Sequence, residues 1–171
     1  MKIGLFYGST TCYTEMTAEK IQAFIGHDIV DIFNIKDTPL SKTSEYEILI
    51  LGISTWDFGE LQEDWESLWD DVHQIDLNNK TIAIYGLGDQ EDYGKWYQDA
   101  IGMLDEAIAH NQTKRIGYWP NEGYEFEESK ALTEDKQFFV GLALDDENQY
   151  EMSEQRIQDW CIQILEEIAE D

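Results

Sequence analysis

Short, unbroken apolar runs alternate along this chain with stretches whose apolar residues recur at helical spacing. Ile3-Gly4-Leu5-Phe6-Tyr7 and Ile48-Leu49-Ile50-Leu51 are two such runs. A strand wetted on one side alternates apolar and polar residues, so an unbroken run fits a strand covered on both faces, as in a parallel sheet between helix layers. Strands are predicted at Lys2–Tyr7, Ile29–Phe33, Ile48–Ile53 and Thr81–Tyr85, with a last one in two pieces, Arg115–Trp119 and Phe138–Leu144. Helical stripes lie between them: Ala18, Ile21, Phe24 and Ile25; Trp65, Leu68, Trp69 and Val72; Ala100, Met103, Leu104, Ala107 and Ile108. The cleanest is Ile157, Trp160, Cys161, Ile164, Leu165 and Ile168, with Ser153 expected as its N-cap. Cys161 and the Trp residues on these stripes read as core.

This α/β alternation predicts a doubly wound, five-stranded parallel sheet, in which ligands bind beyond the carboxyl ends of the strands. Chemistry is therefore sought in the loops after strands one, three and four. The Glu-rich stretch Pro120–Gln137 is too long for an ordinary connection and is expected to be an insertion in the last strand. With 171 residues, two prolines and no linker-like segment, one domain over residues 1–171 is expected.

The 37 acidic residues against 11 basic give a net charge of −26, which excludes nucleic acid and anionic membrane as partners. It suits steering toward a basic protein. Two cysteines make no disulfide framework, and there is no basic leader or long apolar segment, so the expected location is the cytoplasm.

After the first strand comes Gly8-Ser9-Thr10-Thr11-Cys12-Tyr13-Thr14, with no Lys or Arg from Ile3 to Glu19. A strand feeding a helix through such a loop binds anions with orphan helix N–H groups, the helix dipole and, here, hydroxyls. A nucleoside triphosphate is disfavoured, because the Gly-Lys-Ser/Thr ending of a phosphate-binding loop is missing. Gly86-Leu87-Gly88 lacks the third glycine of a dinucleotide fingerprint. His27, His73 and His110 show no metal-ligand spacing and read as surface residues. After strand three, Ser54-Thr55-Trp56-Asp57-Phe58-Gly59 offers a Trp just past a strand end; after strand four, Gly86–Gly94 offers Tyr93. Two aromatic plates beside a phosphate cradle describe a pocket for a phosphorylated planar heterocycle.

Over essentially its whole length the chain resembles a long-chain flavodoxin. The resemblance lies in Phe6–Thr14, Gly52–Trp65, Gly86–Tyr93 with Asp99-Ala100-Ile101-Gly102, Gly117-Tyr118-Trp119 and Phe139–Asp145. It implies the strand order 2-1-3-4-5 and bound FMN. Phosphate would lie in Ser9, Thr10, Thr11, Cys12, Tyr13 and Thr14, and the ring between Trp56 and Tyr93. Ser54, Thr55, Asp57, Phe58, Gly59, Leu87, Gly88, Asp89 and Gln98 would complete the site. The Asp57 carbonyl would turn toward the ring's N5 on reduction, in a loop that Gly59 makes adaptable. The implied role is a low-potential one-electron carrier rather than an enzyme, a monomer working between a flavodoxin reductase and acceptor proteins, all basic. Two other readings stand beside it. An FMN-dependent quinone or nitro reductase would need a nicotinamide site or an open cavity over the flavin. A phosphorylation receiver would need an acidic cluster after strand one, where Gly8-Ser9-Thr10-Thr11 stands.

The chain departs from the family at Cys12, where Gly is usual, at Tyr13, and at Ser54, where Pro is frequent. A Cys does not take positive φ as cheaply as Gly. Cys12 reads as loop packing rather than as a redox sensor. Asp57, Glu60, Glu63, Asp64, Asp89, Glu91 and Asp92 surround the aromatic loops. At ~10 Å in water each carboxylate opposes a further negative charge by roughly 0.4 kcal/mol before screening. Several together would lower a one-electron potential by on the order of 100 mV.

Overall fold

The computed structural model describes residues 1–170. Strand β1 (Ile3–Tyr7) lies inside a parallel sheet, between the edge strand β2 (Val30–Asn34) and the central strand β3 (Ile48–Trp56). A two-residue strand, β4 (Glu60–Leu61), folds back antiparallel on the end of β3. On its other side β3 pairs with β5 (Thr81–Leu87), register Ile48↔Thr81 to Ser54↔Leu87. The edge strand comes in two pieces: β6 (Lys114–Arg115) pairs with the start of β5, and β9 (Leu142–Leu144) with its end. Setting aside the short β4, the order is 2-1-3-4-5, as expected.

Side chains alternate along the strands and feed two cores. Leu5, Ile50, Ala83 and Tyr85 face α1 (Tyr13–Ile25) and α5 (Tyr150–Ala169). Phe6, Leu49, Leu51, Ile82 and Ile84 face α2 (Glu63–Ser67), α3 (Trp69–Gln74) and α4 (Asp99–Ala107). Unbroken apolar runs are thus explained by cover on both faces. Cys161 is buried in the first core, as expected, and burial pushes its thiol up to about 12. Among the described residues no helix is long and apolar enough to cross a membrane.

Four expectations need correction. Ser153 lies inside the first turn of α5, where its hydroxyl bonds Asp146; Gln149 stands at the cap. Phe24 is 42 % exposed, because α1 turns only the Ala18 and Ile21 side inward. The Trp65–Val72 stripe is two short helices meeting at Leu68 rather than one. Finally, Trp119 and Phe139 do not continue the edge strand but pair with each other, in the hairpin of β7 (Trp119–Pro120) and β8 (Phe138–Phe139). The chain leaves the sheet at Gly117, which has φ 80; a Cβ there would sit 2.9 Å from Trp160 Nε1. That indole N–H donates to the Gly117 carbonyl at 2.9 Å, fixing the exit. The interruption therefore runs from Ile116 to Gly141, wider than Pro120–Gln137.

Candidate functional site

The loops after β1, β3, β5 and β9 emerge at one end of the sheet, because the parallel register aligns their carboxyl ends. The first, Gly8–Cys12, delivers the chain into α1. Cys12 at its N-cap has φ 71 and ψ −10, the left-handed conformation that makes Gly the cheaper residue there. The N–H groups of the loop and of the first helical turn have no partner within the helix. Among the described residues, none from Ser9 to Glu15 finds a hydrogen-bond partner. The Ser9 hydroxyl is buried and also without a partner. Donors so arranged at a helix N-terminus suit a phosphate.

Three residues of this segment, Thr11, Tyr13 and Thr14, border a cavity of about 270 Å³. They lie at its α1 end; Ser54, Thr55, Trp56 and Asp57 line it from the end of β3, and Leu87, Gly88, Asp89 and Tyr93 from the end of β5 and the loop after it. Ser54 to Trp56 belong to β3 rather than to a loop, because β4 pairs with Thr55 and Trp56 and extends the strand. The Trp56 indole N–H donates to Ser54 Oγ at 3.0 Å, which orients the ring. Asp57 (φ 43) and Gly59 (φ 84) make the tight turn that follows.

Several expected residues stand elsewhere. Ser9, Thr10 and Cys12 lie in the loop but not on the cavity wall; Thr10 accepts a hydrogen bond from Gln62. Phe58 is 66 % exposed and outside the cavity, its ring edge-on to Trp96 (5.0 Å) and Tyr93 (6.2 Å). Gly59 likewise does not line it. Gln98 needs a correction: fully buried, it donates Nε2 to the carbonyls of Gly86 and Leu144, clasping β5 to β9 beneath the site. The three histidines are exposed, as expected.

The sequence reading missed Asp146 and Glu147, which close the cavity from the loop after β9. Their signal was available, since this loop too follows the carboxyl end of a strand. Burial raises the Asp146 pKa, opposed by the Ser153 hydroxyl and the Lys20 charge. Beside it, buried Asp145 accepts from Gln90 N (3.0 Å), Gln90 Nε2 (2.8 Å) and Asn148 N (3.0 Å), tying the β5 and β9 loops together. The cavity thus joins a cation-free anion cradle to aromatic walls and an acidic rim.

Comparison with known proteins places the chain among relatives along its whole length. A family model described as Flavodoxin matches residues 5–160. The chain is 55 % identical over 170 residues to Flavodoxin 2 of Escherichia coli, covering 99 % of this chain and 98 % of that protein. It is 44 % identical over 168 residues to a flavodoxin of Nostoc sp., covering 98 % of each. Among solved structures, the Fusobacterium nucleatum flavodoxin bound to flavin mononucleotide superposes with a TM-score of 0.90 at 31 % identity, over 97 % of this chain and 98 % of that one.

Proposed function

We propose that this chain, which belongs to the flavodoxin family, holds FMN non-covalently in the cavity at the strand ends and serves as a low-potential one-electron carrier. The observation that supports this cavity is the meeting of the unpartnered N–H run at Ser9–Glu15 with Trp56 and Tyr93. The residues present fit such a group: orphan amides and the Ser9 hydroxyl for a phosphate, two aromatic walls for a flat ring. When bound, the flavin supplies the redox chemistry, and the protein tunes its potential.

The chain's own groups have separable tasks. The Ser9–Thr14 hydroxyls and amides anchor the phosphate; Trp56 and Tyr93 cover the ring and exclude water. The Asp57–Gly59 turn presents the Asp57 carbonyl oxygen as a hydrogen-bond acceptor, and Gly59 lets that peptide reorient. Asp57, Asp89, Asp146 and Glu147 keep the cavity's potential negative, which opposes added negative charge there. The same reading makes the chain a single-domain, cytoplasmic monomer whose partners are a reductase and acceptor proteins; the net charge of −26 supports basic ones.

The carrier reading is preferred to a quinone or nitro reductase, since the relatives are flavodoxins. Titrating the full chain with FMN tests it. The expected result is a one-to-one yellow complex that leaves NADH unoxidised until a reductase is added. NADH oxidation without one would favour the enzyme, and failure to take up FMN would sink both.

A further inference from the structure

We propose that Gln62, outside the cavity wall, is a positioning residue that turns the Thr10 hydroxyl proton toward the phosphate; this rests on reading the cavity as an FMN site. Gln62 is fully buried at the N-cap of α2. Its Oε1 accepts from the backbone N–H groups of Asp64 (3.2 Å) and Trp65 (3.3 Å). Its Nε2 donates to Asp64 Oδ2 (2.9 Å) and to Thr10 Oγ1 (3.1 Å).

These four bonds leave the amide one orientation. Reversed, it would set oxygen against the Asp64 carboxylate, which can only accept, and NH₂ against two N–H donors. Gln62 must therefore donate to Thr10, and Thr10 Oγ1 must accept. A threonine hydroxyl has a single hydrogen, and because Oγ1 accepts from Gln62 that hydrogen is not spent on Gln62 and is left to donate elsewhere. A phosphate dianion is an acceptor only, so a hydroxyl already set as donor is prepared for it. The contact is built into the backbone as well: a Cβ on Gly8 would collide with Gln62 Oε1 and come within 2.9 Å of Trp65 Cδ1.

Riboflavin, which lacks the phosphate, separates this role from simple support of α2. Dissociation constants for FMN and riboflavin are measured by flavin-fluorescence quenching on the full chain, for wild type, Gln62→Met, Thr10→Val and the double variant. Gln62→Met is expected to weaken FMN about tenfold, part of a charged hydrogen bond, and to leave riboflavin unchanged. In the Thr10→Val background it should add nothing to the FMN-to-riboflavin ratio. Equal weakening of both ligands, or full additivity with Thr10→Val, would overturn the proposal. Gln62→Glu combined with Asp64→Asn keeps an oxygen for the N–H groups of positions 64 and 65, gives the second oxygen an amide rather than a carboxylate to face, and so covers a Gln62→Met chain that fails to fold. It draws the Thr10 proton inward, and an unchanged ratio would again refute the idea. If wild type binds neither flavin, the FMN reading itself fails.

Discussion

Replacing Cys12 by glycine should stabilise this protein. Cys12 has φ 71, and left-handed backbone costs a residue with a Cβ roughly 1–2 kcal/mol. Glycine removes that cost but gives the unfolded chain more freedom, which offsets roughly 0.5–1 kcal/mol. Nothing else is lost, because the side chain is exposed and makes no capping bond. The net gain is about 0.5–1 kcal/mol, and at about 2–4 °C per kcal/mol for a domain of this size the Tm should rise by about 1–4 °C. Thermal unfolding of the flavin-free chain, followed by far-UV circular dichroism, measures it. Cys12→Ala is the comparator: it keeps the Cβ, and so the strain, and should not gain. A Cys12→Gly chain that melts at or below the wild-type temperature, or an alanine variant that gains as much, would refute the reasoning.

Tyr85→Phe deletes a buried hydroxyl that donates to the Thr14 carbonyl at 2.8 Å, tying β5 to the first turn of α1. It should cost about 1 kcal/mol, read as a lower urea midpoint at unchanged m-value. The thiols should divide by burial: in native protein at pH 8 a thiol reagent titrates only Cys12, and Cys161 reacts only after unfolding. Reaction of both in the native state would contradict the packing of α5. Burial raises the pKa values of Asp99 and Asp146, so the native chain binds more protons than the unfolded one from the ordinary Asp pKa up to the raised values. Stability should therefore fall as pH rises through that window. Asp99→Asn combined with Asp146→Asn should flatten that slope, and identical slopes in wild type and variant would be the contrary result.

The parts of the site legible in the sequence are those held by local rules. Gly8–Thr14 reads as an anion loop because a strand end and a helix start determine what lies between them, and the doubt over Cys12 follows from the backbone sign such a loop imposes. Trp56 and Tyr93 are visible because large aromatics just past strand ends lack a core explanation. Gln98 was misplaced for the opposite reason: nothing local distinguishes an amide facing a ligand from one turned under the sheet to clasp Gly86 and Leu144. Gln62 shows the same limit, since its meaning depends on Thr10, far away in the chain.

By itself the sequence determined the α/β alternation, the two-sided burial and the acidic character, because periodicity and charge are properties of the chain; the order of the principal strands was implied by the family resemblance alone. Only the tertiary structure decided where the edge strand breaks, which acids close the cavity and which way each buried amide points. Those are settled by partners that meet when β5, β9 and the insertion pack together, and a buried polar group takes the orientation that satisfies all its neighbours at once.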